Sequence, residues 1–139
     1  MTLALKSLAL RRVVVLLWSA IAVIAGLAGF AAAAQAAISF QQINHAVSDD
    51  PQTSVSVPFT AAQTAGGLNV VAVGWFNTTA DILSVTDTSN NTYVLAAGPT
   101  TQAQAGTQAM YYAANIVAAT PGSNTVTVTF DAAVPYPDV

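Results

Sequence analysis

Six residues near the end of the sequence alternate without a break between threonine and an apolar side chain. This run, residues 125–130, has the period of two that places apolar side chains on one face of a β-strand. We therefore expect its valines and its phenylalanine to face a core and its threonines to face solvent. Residues 54–59 alternate in the same way. Pro58 restricts that strand to a sheet edge or a strand end, because proline has no N–H to donate to a ladder.

Other apolar runs predict the remaining strands. Residues 68–76 are almost continuously apolar, which predicts a central strand covered on both faces. Shorter runs predict strands at residues 38–43, 82–86, 92–97 and 110–117. No segment after the first 36 residues has helical periodicity, so the pattern predicts an all-β domain.

Turn residues separate these runs at short intervals. Pro121 and Gly122 fit the two central positions of a type II turn over residues 120–123. Residues 88–91 predict a hairpin between two short strands, because asparagine tolerates left-handed backbone. Six or seven strands at this spacing predict one domain over residues 37–139. Its expected fold is an immunoglobulin-like β-sandwich, with a jelly roll as the second choice.

The first 36 residues predict a secretory signal. All three cations of the chain precede residue 13: Lys6, Arg11 and Arg12. An apolar stretch follows over residues 13–34, and the small residues Ala34 and Ala36 then fit a signal-peptidase pocket. We expect a signal helix within residues 1–36, cleavage after Ala36, and a secreted or cell-surface product. The alternative is an uncleaved membrane anchor, because the apolar stretch is about as long as the ~20 residues that span a bilayer.

Charge is nearly confined to that leader. Residues 13–139 contain no Lys, Arg or Glu, and the chain has no Cys. A surface without cations repels phosphate, so nucleic acids are excluded as partners and anionic lipid heads are disfavoured. We expect membrane contact only through an uncleaved leader. Without cysteines the domain must be held by its core and its hydrogen bonds.

Candidate catalytic groups are few. His45 is the only imidazole, and Asp49 and Asp50 lie close to it in one polar loop without a nucleophile pattern. A solvated surface histidine explains His45 better than a hydrolytic triad does. Six aspartates also offer carboxylate pairs for glycoside cleavage. Aspartate belongs at turns and strand ends as a backbone acceptor, however, and no catalytic residue is assigned.

Calcium is the one cofactor that the residues suggest. Asp87, Asn90 and Asn91 offer oxygen ligands within one turn, together with Ser89. Their spacing does not match that of a calcium loop, and a hairpin stabilised by Asx hydrogen bonds explains the same residues. The prediction is therefore no cofactor, with calcium at this turn as the alternative.

Aromatic side chains suggest a second kind of site. Five aromatic residues could include a platform on which sugar rings stack: Trp75, Phe76, Tyr93, Tyr111 and Tyr112. Of these, Trp75, Tyr111 and Tyr112 are the predicted ligand-binding residues. Tyr111 and Tyr112 are adjacent, so one of them points outward if both lie in a strand. The competing interpretation is that these aromatics belong to the core, above all Trp75, which lies in the most apolar run.

Several phrases of the sequence resemble a known group of domains. They are residues 62–71, 85–93, 110–116 and 125–130, followed by Tyr136-Pro137-Asp138. Together they are similar to a β-sandwich domain of secreted bacterial proteins, which often precedes fibronectin-type or immunoglobulin-like modules in larger cell-surface chains. The resemblance implies a fold and brings no catalytic residues. The chain of those relatives continues after the Pro-Asp pair into a further strand, so we expect a fragment with one unpaired sheet edge.

These observations favour a non-catalytic function. The expected protein is a secreted or cell-surface module with a structural, spacer or adhesion role. Its expected partners are other surface-protein modules or glycans. The alternatives are a carbohydrate-binding module with an exposed aromatic face and, less favoured, a small secreted hydrolase.

Overall fold

A computed structural model describes residues 38–139; the predicted leader and its cleavage site lie outside this range. The described residues contain six β-strands in two antiparallel sheets and no helix, so the all-β prediction is confirmed. In this part of the chain no helix is long and apolar enough to cross a membrane. The strands are β1 (Gln52–Pro58), β2 (Leu68–Trp75), β3 (Ile82–Asp87), β4 (Val94–Gln102), β5 (Gly106–Ala114) and β6 (Thr125–Val134).

The first sheet has the order β1-β6-β3 and follows the period-two pattern closely. Val126, Val128 and Phe130 of β6 are buried, while the threonines between them lie on the opposite face. β1 is an edge strand whose last residue, Pro58, pairs with Thr125 at the end of the ladder. The prediction that Pro58 marks an edge or a strand end is confirmed.

The second sheet has the order β2-β5-β4, which corrects two predictions. β2 is an edge strand and not a central one, and its burial alternates, so only one of its faces meets the core. β3 and β4 belong to different sheets, so residues 88–93 cross between the sheets and do not form a hairpin. The apolar outer positions of β2 made it look covered on both sides.

The core lies between the two sheets. Val128 and Val134 are fully buried, and the rings of Trp75 and Phe130 pack with their centroids 5.4 Å apart. The Trp75 Nε1–H donates to the carbonyl of Ala80 at 3.2 Å, so the one polar atom of this buried ring is satisfied. Burial of these side chains against one another is the main stabilising term expected for such a sandwich.

Two local predictions have opposite outcomes. The type II turn is confirmed, since Gly122 has a φ of +73° and the Ser123 N–H donates to the Thr120 carbonyl at 3.1 Å. The strand predicted at residues 38–43 is absent. Side-chain bonds hold this segment instead: the amide of Gln42 bonds the N–H and the carbonyl of Ala61 at 2.9 and 3.1 Å.

The last residues of the sequence pair with the edge of β2. Asp138 and Gly74 exchange two backbone hydrogen bonds of 2.8 Å each, and Val139 exchanges two with Ala46 at 2.9 and 3.0 Å. Pro137 is fully buried. The tail thus continues the β2–β5–β4 sheet for a short distance beyond β2, and residues 46–47 extend it further.

Candidate functional site

A ring of five polar side chains joins the two sheets at one end of the sandwich. The Asp87 carboxylate, at the end of β3, accepts at Oδ2 from the Tyr93 hydroxyl at 3.0 Å and from Asn124 Nδ2 at 3.0 Å. Asn124 Nδ2 also donates to Gln63 Oε1 at 2.7 Å. Gln63 Nε2 donates to Asn69 Oδ1 at 2.8 Å, and Asn69 Nδ2 donates to the Tyr93 hydroxyl at 3.1 Å. The ring is therefore closed.

Further bonds tie this polar ring to the neighbouring backbone. Asn91 donates to Asp87 twice, from its backbone N–H at 2.9 Å and from its side chain at 2.7 Å. Asn91 Oδ1 accepts from the Val117 N–H at 2.8 Å. Asn124, which is fully buried, accepts at Oδ1 from the Ser89 N–H at 3.1 Å. Among the described residues no buried side-chain N or O lacks a partner, so the ring satisfies the groups that it buries.

The ring controls the protonation of its acid and its phenol. Burial opposes the charge of Asp87, but the hydrogen bonds from Asn124, Asn91 and Tyr93 outweigh it and hold the pKa of that carboxyl below its usual value. Burial raises the pKa of Tyr93 far above its usual 10, and the neighbouring Asp87 carboxylate raises it further. Both shifts widen the pH range in which Asp87 is ionised and Tyr93 is neutral.

This arrangement does not fit a calcium site. Four donors already occupy the Asp87 carboxylate, and the side-chain oxygen of Asn91 accepts from Val117. Asn90 has a φ of +58° and forms the turn itself, as its tolerance of left-handed backbone predicts. In residues 38–139 no cluster of three or more His, Asp or Glu side chains could hold a metal. The Asx interpretation describes Asp87–Asn91 better than the metal interpretation does.

The outer face of the β2–β5–β4 sheet is apolar and exposed. Two ladder rows cross it, the first formed by Val70, Tyr112 and Val94 and the second by Ala72, Met110 and Ala97. Leu68 and Ala114 extend it at one end, and Gly74, Gln108 and Thr100 end it at the other. Leu68 and Val70 are more than half exposed, and Tyr112 is 37% exposed. We call these residues the apolar face.

The other sheet presents a different surface. Its outer rows carry hydroxyl groups, in the registers Ser54–Thr129–Ser84 and Ser56–Thr127–Thr86. The hydroxyls of Ser56 and Thr127 bond each other at 2.8 Å. We call these residues the hydroxyl face. A sandwich of this kind is expected to be polar on both outer faces, so the apolar face is the exceptional one.

The aromatic residues predicted as a sugar platform are not together. Trp75 is only 4% exposed and packs in the core, so the prediction that it contacts a ligand needs correction. Tyr111 is half-buried and packs against the core from the inner side, and burial raises the pKa of its hydroxyl, with a further contribution from the charge of Asp81. Tyr112 lies at the centre of the apolar face.

The candidate hydrolytic residues lie in an exposed segment. His45, Asp49 and Asp50 are all exposed, and the Asp50 N–H bonds the Ser48 hydroxyl at 3.2 Å in a local turn. No hydrogen bond joins His45 to either carboxylate. His45, Asp49 and Asp50 therefore do not form a hydrogen-bonded catalytic triad in this segment.

The comparisons add no relative to this description: no family model, no curated protein and no solved structure matches the chain.

Three of the five ring residues were not singled out from the sequence. Gln63, Asn69 and Asn124 stand among apolar and turn residues, and only Asn69 carried a signal. Asn69 is separated from the buried Val71 and Val73 by even numbers of residues, so its side chain points to the same side of β2. A polar side chain at that position had to find a hydrogen-bond partner.

Proposed function

We propose that the chain is a non-catalytic β-sandwich module of a secreted or cell-surface protein, with a structural, spacer or adhesion role. The observation that carries the proposal is the apolar face, which exposes Val70, Met110 and Tyr112 in adjacent ladder rows. An exposed apolar patch costs solubility, so a face of this kind is explained by a surface that packs against it.

The size of the apolar face favours a weak contact. Three strands about 4.8 Å apart and seven residues long give a face about 14 Å by 24 Å. That is roughly 300 Å² in plan, within the range of the largest patches on monomers and well below the ~800 Å² per partner of a stable complex. A weak contact suits modules that are held near each other, because tethering supplies an effective concentration in the millimolar range.

The partner that this face fits is a second module of the same kind. β2 and β5 pair in this face without a register shift, and its rows contain no charged side chain, so it offers nothing to a charged ligand. Two such faces can pack about 10 Å apart, as the sheets of a sandwich do. Each would then cover the Val70–Tyr112–Val94 row of the other.

Sedimentation equilibrium of the exported protein tests this function. We expect reversible self-association with a dissociation constant at or below about 1 mM, the level at which tethered modules would be paired. A protein that stays monomeric at several times that concentration would remove the proposed contact. Measuring the mass of the exported product tests the secreted character in the same sample, because cleavage after Ala36 leaves Ala37 as the first residue.

Glycan binding is the second candidate, and Tyr112 is the observation that favours it. Its ring is exposed at the centre of the apolar face, with the amide of Gln108 four residues away on the same side of β5. One residue of an oligosaccharide could stack on the ring while the amide bonds hydroxyls of a later residue, about 14 Å along the strand. A glycan array with the protein and with Tyr112→Ala decides this point: binding that the substitution abolishes supports it, and no binding rejects it.

A further inference from the structure

The free edge of β2 borders an apolar groove. A cavity of about 520 Å³ lies between β2 and residues 43–45, with Val57, Phe59 and Val126 at its base. It continues over β2 onto the apolar face at Met110. Most of its lining is apolar, and its polar lining residues are Asn44, His45, Thr100, Gln108 and Asp138.

The backbone of β2 is ready for another strand along this groove. Gly74 directs its N–H and its carbonyl away from β5, toward Asp138, and bonds both. The direction of the backbone N–H and carbonyl groups alternates from one residue of a strand to the next. The N–H and carbonyl groups of Ala72 and Val70 therefore point to the same edge as those of Gly74. No hydrogen bond within residues 38–139 reaches the backbone groups of Ala72 and Val70 on that edge. The tail therefore fills one position of a ladder that extends further.

We propose that this groove is a strand-acceptor site: it binds an extended segment of a second polypeptide, which pairs antiparallel with β2 at Ala72 and Val70. This inference concerns the backbone edge of β2, which borders the apolar face at Val70 and Ala72, and it does not depend on the function proposed above. In this binding mode main-chain hydrogen bonds supply affinity, and pockets for alternate side chains supply specificity.

The pairing of Gly74 with Asp138 fixes the register of the bound strand. Val139, next to Asp138, is opposite Val73 and packs against the core. In the bound segment, which we call the donor strand, the residue opposite Ala72 then points to the outer side of the sheet. The next residue, opposite Val71, points inward above Val57 and Val126. An apolar side chain is required at that inward position. The sequence of the donor strand should therefore alternate between polar outward residues and apolar inward residues.

Charge further limits the donor. Residues 38–139 carry six aspartates and no Lys or Arg, and Asp138 stands at the entrance of the groove. An acidic donor would be repelled, whereas a neutral strand flanked by lysines would be attracted. The ligand class is thus a neutral alternating strand with a basic flank.

Amide hydrogen exchange with a synthetic peptide tests the site on the unmodified protein. The probe is acetyl-Thr-Val-Thr-Val-Thr-Lys-Lys-amide. The control has the same composition but places threonine at both inward positions: acetyl-Val-Thr-Thr-Thr-Val-Lys-Lys-amide. We expect the first peptide to slow exchange at Ala72 and Val70 by about tenfold or more, because both amides gain an acceptor. Protection at β3 or β4 instead, equal effects of both peptides, or no protection would each overturn the proposal.

Disulfide trapping tests the register. The chain has no Cys, so Ala72→Cys introduces a single thiol on the free edge, and Ala114→Cys places one on the central strand of the same exposed face. A probe with cysteine as its first residue should cross-link to Ala72→Cys about tenfold more than to Ala114→Cys in a glutathione buffer, since paired strands hold the two Cβ atoms within disulfide range. Equal yields would contradict the register and the site.

Discussion

The Tyr93 hydroxyl donates to Asp87 Oδ2 at 3.0 Å, and this bond connects the segment between the sheets with the end of β3. Tyr93 also accepts from Asn69 of β2 at 3.1 Å, so a single phenol links side chains of both sheets. The polar ring thus takes the place of the ion pairs and disulfides that this cation-free, cysteine-free domain lacks. Its residues are structural, and this assignment leads to the first predictions.

Asp87→Asn should destabilise the protein markedly. The new amide would bring an N–H₂ group among donors that now bond a carboxylate, leaving buried groups unpaired. We expect a loss of about 2–4 kcal/mol in the free energy of unfolding, measured by urea titration. Asp49→Asn is the matched control, because Asp49 is exposed, and it should change the free energy by less than about 0.5 kcal/mol.

The same carboxylate should make stability depend on pH. The folded pKa of Asp87 lies below its unfolded value, so its contribution is complete above the unfolded value near 3.8 and is lost as pH falls through the folded pKa. Urea titrations between pH 7 and pH 2 should therefore show stability falling in the acid range. The fall should be smaller in Asp87→Asn, and identical slopes for both proteins would refute the role of Asp87.

Tyr93→Phe should be costly although it removes only one oxygen. The change deprives Asp87 of a donor and leaves Asn69 Nδ2 without its acceptor. We expect a loss of about 1–3 kcal/mol, the range for leaving a buried polar group unsatisfied. Tyr112→Phe provides the control, because its hydroxyl makes no hydrogen bond within the described residues and its ring is 37% exposed. Equal effects of the two substitutions would argue against the ring.

Trp75→Ala should reduce stability without affecting contacts at the apolar face. The side chain is buried against Phe130, and its removal leaves a large cavity between the sheets. We expect a loss of about 3–5 kcal/mol in thermal or urea unfolding. An unfolding free energy within about 0.5 kcal/mol of the original, as for an exposed side chain, would show that Trp75 is not a core residue.

The strands could be predicted from the sequence better than their arrangement. The alternation of residues 125–130 and the proline of β1 correctly indicated burial and edge position, because both follow from the geometry of a single strand. Sheet membership depends on pairing between distant segments, which no local pattern contains. For that reason β3 and β4 were wrongly joined as a hairpin.

The candidate sites were predicted less well for a related physical reason. On β2 the outer positions Leu68, Val70 and Ala72 are as apolar as the inner ones, so the period of two was hidden and the run looked doubly covered. The exposed apolar face therefore could not be recognised from composition alone. Asp87, Asn90 and Asn91 were identified as a polar cluster, but the donors that occupy Asp87 come from residues as far along the chain as Asn124.

The central claim is that the apolar face makes the functional contact. Val70→Lys places a charge in its middle row, whereas Thr86→Lys places the same charge on the exposed hydroxyl face. Amide NMR spectra of each protein, recorded over a dilution series up to a few millimolar, measure the contact residue by residue. We predict concentration-dependent shifts at Val70, Met110 and Tyr112 in the original protein and in Thr86→Lys, and none in Val70→Lys. Shifts that persist in Val70→Lys, or that lie on the hydroxyl face, would contradict the claim.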